Sequence, residues 1–156
     1  MIDYQRLFHT GFLVPDLRAA MDHYGAAMGL TWAPIRTIPS LPVWSPSRGM
    51  RQASLEVVYS AEGPHHTEMV TGSAGSPWDP ASGGGQHMGL WADDIAAETA
   101  AWLARGWAIV AAGAAPEDGY GTYVYLTPPG GGLTIEFVAG HLEPSFQRWW
   151  AGEAID

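Results

Sequence analysis

His9, Glu68, His87 and Glu136 stand at matching places in two related stretches of this chain. His9-Thr10-Gly11-Phe12-Leu13-Val14-Pro15-Asp16-Leu17 reads against His87-Met88-Gly89-Leu90-Trp91-Ala92-Asp93-Asp94-Ile95. Glu68-Met69-Val70-Thr71-Gly72 reads against Glu136-Phe137-Val138-Ala139-Gly140. Each copy opens on a His and closes on a Glu, and an internal repeat of this kind decides the architecture. Two imidazoles and two carboxylates form an N2O2 donor set. That set suits an octahedral divalent ion such as Ni, Co, Mn, Fe or Zn, with two positions open to substrate oxygens or water. Such an ion acts as a Lewis acid on a carbonyl and favours an enolate. Glu136 or Glu68 would then move the proton. The competing explanation is an inherited scaffold whose His and Glu hold no metal.

Further residues could join this chemistry. His66 lies two residues before Glu68 and so shares its strand face, where it could touch substrate or act as an acid or base. A half-exposed His after a turn explains it as well. Glu56 sits mid-strand among apolar residues. With Gln52 it could form a polar patch in a cavity, where burial would raise its pKa and make it a base. A solvated strand face is the plainer explanation. Trp44 and Trp91 could line an apolar substrate pocket, whereas Trp102 reads as core. Arg51 could bind a carboxylate or phosphate, against the commoner case of a solvated arginine. The glycines 83–85 are no phosphate loop, because no strand precedes them and no helix follows.

The elements that must position these residues can be read from pattern. Residues 7–14 read as a strand, followed by a helix capped at Asp16 and stopped by Gly29, with Leu17, Ala20, Met21, Tyr24 and Met28 at helical spacing. A short strand is expected at 30–36. Residues 37–49, with Pro39, Pro42 and Pro46, read as a loop of the length that often serves as a lid. Strands follow at 51–59 and 65–71, separated by the turn Glu62-Gly63-Pro64. The Gly, Ser and Pro-rich segment 73–86 reads as a linker. The order then repeats: strand 87–92, a helix over Asp94–Arg105 with Ile95, Thr99, Trp102 and Leu103 inward, then strands 107–111, 120–126 and 133–139. Each unit is βαβββ. The class is therefore α+β: two tandem modules, 7–72 and 87–140, pairing into a cup-shaped sheet around a central cavity. They make one domain over 1–156, with a tail at 141–156. Within the tail, Glu143–Trp150 reads as a short helix whose Phe146, Trp149 and Trp150 pack back or meet another subunit.

Composition excludes several classes. The chain has 156 residues, a net charge of -9 and 7 Lys+Arg. No basic run exists to carry nucleic-acid or anionic-membrane binding. There are no cysteines, so thiolate sites and disulfides are absent. No signal peptide and no stretch of roughly 18 apolar residues is visible, so a soluble cytoplasmic protein is expected.

Gly84-Gly85-Gln86-His87-Met88-Gly89-Leu90 resembles the opening of the second module in methylmalonyl-CoA epimerase and its glyoxalase-like relatives, within the vicinal oxygen chelate superfamily. Pro129-Gly130-Gly131-Gly132-Leu133-Thr134-Ile135-Glu136 resembles their closing strand, whose Glu is a metal ligand. His9 and Glu68 match the first-module ligand positions, and the resemblance covers residues 7–139. It implies a glyoxalase-like fold, the four-residue metal site, and a lyase or isomerase acting on a small carbonyl-containing molecule, commonly as a homodimer. The epimerases carry a further acid/base Glu just before the strand at 51–59. Here Ser47-Arg48-Gly49-Met50-Arg51 offers no carboxylate, which argues against strict epimerase chemistry. Drug-binding relatives without turnover are the alternative. Their incomplete ligand sets contrast with the full quartet here.

Overall fold

The computed structural model describes residues 2–155. Eight strands form one closed sheet in the order β1-β4-β3-β2-β6-β7-β8-β5. They are β1 (Leu7–Leu13), β2 (Arg36–Ser45), β3 (Gly49–Tyr59), β4 (His66–Gly72), β5 (His87–Ala92), β6 (Ala108–Ala112), β7 (Tyr123–Thr127) and β8 (Thr134–Ala139). Helix α1 (Leu17–Met28) follows β1, α2 (Ile95–Leu103) follows β5, and α3 (Glu143–Trp150) ends the chain. The expected pair of βαβββ units is thus present. The second unit repeats the first in order: β1 pairs in parallel with β4 as β5 does with β8. The units join through antiparallel β1 and β5. On the far side β2 and β6 meet at a single residue pair, Trp44 and Ala112. The barrel is therefore a cup closed by a thin seam.

Both long helices start where the sequence places them. The side chains of Asp16 and Asp94 each accept a hydrogen bond from the third residue onward, Ala19 and Ala97, at 3.0 and 2.9 Å, satisfying an otherwise orphaned N–H. Gly29 caps α1 in the left-handed region, with φ of 70°, a conformation that costs glycine little. Leu17, Ala20, Met21 and Tyr24 pack α1 onto the outer face of the first unit. Met28 does not join them and lies exposed. In α2, Ile95, Thr99 and Trp102 are buried as expected, but Leu103 is exposed.

The segment expected as a loop at 37–49 is instead mostly strand β2. Pro39 falls at the irregularity between Ile38 and Leu41, where the ladder with β3 shifts register. Because β2 touches β6 at only one pair, most of its other edge needs no N–H donors, and proline is tolerated on such an edge. No lid is formed there. The cup is covered by α3 instead. Phe146, Trp149 and Trp150 pack onto the interior cluster formed with Phe8, Leu55, Val57, Tyr59 and Trp91. Trp149 is 2% exposed and its indole N–H donates to the Pro34 carbonyl at 2.6 Å. Among the described residues no helix is long and apolar enough to cross a membrane.

Candidate metal centre

Strand register builds a cluster at the join of the two units. One row across β8, β5, β1 and β4 reads Glu136, Gly89, His9, His66. The next row reads Thr134, His87, Gly11, Glu68. In each row a glycine separates a His from a Glu. A Cβ at Gly89 would overlap the His9 ring, and one at Gly11 would overlap the His87 ring and Glu68 Oε2. Each imidazole thus occupies the space a side chain would take on the neighbouring strand. Sequence reasoning gave these glycines no role, although the shared His-x-Gly spacing of the two copies was the signal.

The donor atoms converge. His9 Nε2 and His87 Nε2 stand 3.1 Å apart. His9 Nε2 lies 3.1 Å from Glu136 Oε2 and 3.7 Å from Glu68 Oε2. His87 Nε2 lies 2.8 Å from Glu68 Oε2 and 3.6 Å from Glu136 Oε2. All four residues are buried, with one donor atom of each within 4.8 Å of the others. Donors about 2.1 Å from one ion stand roughly 3 Å apart when adjacent and roughly 4.2 Å when opposite, so the spacing fits a single divalent ion.

Charge gives a second test of fit. Glu68 and Glu136 both form ion pairs with these two imidazoles, and Arg36 lines the cavity beside them. The Oε2 atoms of both carboxylates are buried and face the imidazole nitrogens, with no other hydrogen-bond donor among the described residues. Buried charge without compensation costs several kcal/mol per ion, roughly. Two carboxylates and two neutral imidazoles carry the charge that one divalent cation cancels. His87 Nδ1 lies 2.9 Å from the Gly85 carbonyl, which can only accept, so this nitrogen carries the proton and Nε2 turns to the cluster.

Without an ion, His87 carries charge in the cluster. Burial pushes His87 down, but its hydrogen bond to Glu68 and the charges of Glu68 and Glu136 outweigh this and lift it to about 9. Burial pushes Glu68 up, but the His9 charge and the His87 and Tyr59 hydrogen bonds hold it at about 2.

The other predicted residues divide into those the fold brings inward and those it does not. His66 is buried beside the cluster, stacked on Trp150 at 3.8 Å, with Nδ1 donating to the Ser60 carbonyl at 2.7 Å. Burial lowers its pKa. It is covered by α3 rather than open to a cavity. Trp91 is buried and stacked on Phe8 at 3.8 Å, as core rather than pocket wall. Strand alternation turns three of them away from the cluster. Glu56 bonds Thr37 at 3.2 Å and meets Arg18 of α1 at 3.6 Å. Gln52 is exposed and bonds Ser40 at 2.9 Å. Trp44 packs against the outer core under α2. Arg51 lines a cleft of about 30 Å³ with Ser73 and Ser76, to which none of the four cluster residues contributes.

A cavity of about 140 Å³ lies on the cluster, with Glu68 and Glu136 among its lining residues. Leu55, Val57, Val70, Trp78, Phe146 and Trp149 supply apolar walls. It shares Arg36, Ile38, Leu41, Leu142 and Phe146 with an outer recess of about 600 Å³. A third cavity, about 280 Å³, reaches His87 from the linker side past Ser76, Ser82 and Gly85.

Comparison with known proteins agrees with this architecture. The family model described as Glyoxalase/Bleomycin resistance protein/Dioxygenase superfamily matches residues 8–126. A hypothetical protein from Bacillus halodurans is similar in structure, with a TM-score of 0.60 and 17% identity over 85% of this chain and 92% of that one. A methylmalonyl-CoA epimerase from Mycobacterium tuberculosis gives 0.51 and 16% identity over 90% of this chain and 91% of that one. A 4-hydroxymandelate synthase from Streptomyces coelicolor gives 0.51 and 14% identity, over 86% of this chain and 47% of that one. No curated protein matches the sequence. The chain belongs to the glyoxalase/bleomycin resistance protein/dioxygenase superfamily, the vicinal oxygen chelate proteins.

Proposed function

We propose that this member of the superfamily is a divalent-metal-dependent lyase or isomerase of the glyoxalase/epimerase type. His9, Glu68, His87 and Glu136 would hold the ion. The observation that carries this reading is the buried pair of carboxylates converging on two imidazoles, with one donor atom of each within 4.8 Å of the others. When bound, a divalent ion such as Ni, Co, Mn, Fe or Zn polarises a substrate carbonyl and lowers the cost of an enolate-like intermediate. The chain's own residues do the rest. Glu68 and Glu136 both border the 140 Å³ cavity, so either carboxylate can take a proton from a carbon seated there. Apolar walls and α3 flank that position. A cavity of this volume accommodates a molecule about the size of benzene, and it continues into the outer recess. The substrate is therefore a compact molecule with an apolar body that presents adjacent or carbonyl oxygens to the cluster.

The epimerase among the structural neighbours supports the isomerase side of this reading. The test is α-proton exchange in D2O by protein loaded in turn with each ion, offered a panel of small α-carbonyl compounds. Exchange that is lost in both Glu136→Gln and Glu68→Gln supports enzyme action. Tight ligand binding with no exchange under any ion favours the second reading, a drug- or metabolite-binding protein, which the Trp78 and Trp149 walls also suit. We further propose that the chain acts as one domain, with modules 7–72 and 87–140 joined by linker 73–86 and followed by tail 141–156. A homodimer and a cytoplasmic setting complete the proposal. Light scattering and cell fractionation test them.

A further inference from the structure

Each cluster carboxylate faces a tyrosine on the adjacent strand. Tyr59 of β3 sits opposite Glu68 of β4, and Tyr125 of β7 opposite Glu136 of β8. These positions are equivalent in the two units. The Tyr59 hydroxyl donates to Glu68 Oε1 at 2.5 Å. Tyr125 stands directly opposite Glu136 in the β7–β8 ladder. In both glutamates it is Oε2 that turns to the imidazoles. The two pairs differ in one respect. The Trp78 indole N–H, from the linker, points at the Tyr125 oxygen at 3.2 Å. An indole only donates, so it occupies a lone pair of that oxygen and leaves the phenol proton for Glu136. Tyr59 has no such partner. It is ringed by Phe146, Trp149 and Trp150.

We propose that Tyr59 and Tyr125 are positioning residues, which pin one oxygen of Glu68 and Glu136 so that the other faces the imidazoles, and that Trp78 fixes the direction of the Tyr125 donor. This rests on the metal reading above. A carboxylate on a flexible stem otherwise loses rotamer freedom at every binding event, and a donor on its second oxygen removes that cost in advance.

The test is cobalt(II) affinity, by chelator competition, and the visible cobalt spectrum in Tyr59→Phe, Tyr125→Phe, Trp78→Phe and a control, Tyr123→Phe. Tyr123 is a buried neighbour on β7 whose hydroxyl bonds the Pro42 carbonyl at 2.7 Å instead of a carboxylate. Tyr59→Phe and Tyr125→Phe should each weaken binding about 10–100-fold and shift the spectrum. Trp78→Phe should weaken it less, and Tyr123→Phe should leave both readouts unchanged. Equal loss in all four variants, or no loss in the first two, overturns the proposal. The pairing is also tested on metal-free protein by double-mutant cycles in melting temperature, Tyr59→Phe with Glu68→Gln and Tyr125→Phe with Glu136→Gln. Non-additive losses show the pairing and additive losses refute it. Failure of the wild type to bind cobalt would sink the metal reading while the cycles still decide the pairing.

Discussion

At the scale of single residues, the cluster depends on two absences as much as on four side chains. The sequence displayed His9, Glu68, His87 and Glu136 through the repeat, because equivalent positions in paired units meet at the join. It also displayed Gly11 and Gly89. Their meaning appears only when register sets each glycine beside the other unit's His. Gly89→Ala should force the His9 ring aside, at a cost of about 1–3 kcal/mol in stability with loss of bound metal. Thermal melts and metal content check this. Titration gives a second residue-scale expectation. His87 is held above its ordinary value of 6.5 at about 9, so its contribution to metal-free stability is full below 6.5 and is lost as pH rises through 9. Glu68 is held at about 2 from 4.5, so its contribution is present above 4.5 and lost as pH falls toward 2. The metal-free protein should therefore lose melting temperature between pH 6.5 and 9 more steeply than the metal-loaded one. Metal uptake should release a proton and strengthen as pH rises over that range. A pH-independent affinity would contradict this.

At the scale of elements, the helices were legible because their signals are local: an Asp cap, apolar residues at helical spacing and a terminal glycine. The strand β2 was not. Prolines 39, 42 and 46 mark a loop by composition. Whether an edge needs its N–H groups depends on a partner strand far away in sequence, and here that partner is nearly absent. The same limit applies to Glu56, Gln52 and Trp44, whose face is set by which side of β2 and β3 closes on the cavity. The lid therefore moves from 37–49 to α3. Trp149→Ala should destabilise the fold by about 3–5 kcal/mol, since it removes a buried indole and its bond to Pro34. It should also open the cavity to solvent. Denaturant melts measure the first effect, and fluorescence of an apolar dye the second.

At the scale of the whole molecule, the repeat does its work by closing the sheet. Each βαβββ unit curls into half a cup, and only the β1–β5 join gives four donors a common centre. All four come from one chain, so the centre needs no second copy for its ligands. The ratio of metal to chain should accordingly stay constant as protein is diluted through any change of assembly, which ultracentrifugation with metal analysis can follow. The measurement that bears most directly on the account is metal analysis of the purified protein beside His87→Ala. The account predicts about one divalent ion per chain in the wild type and almost none in a folded variant. Absence of metal in the wild type after supply of each ion, or equal metal in the two proteins, would contradict it.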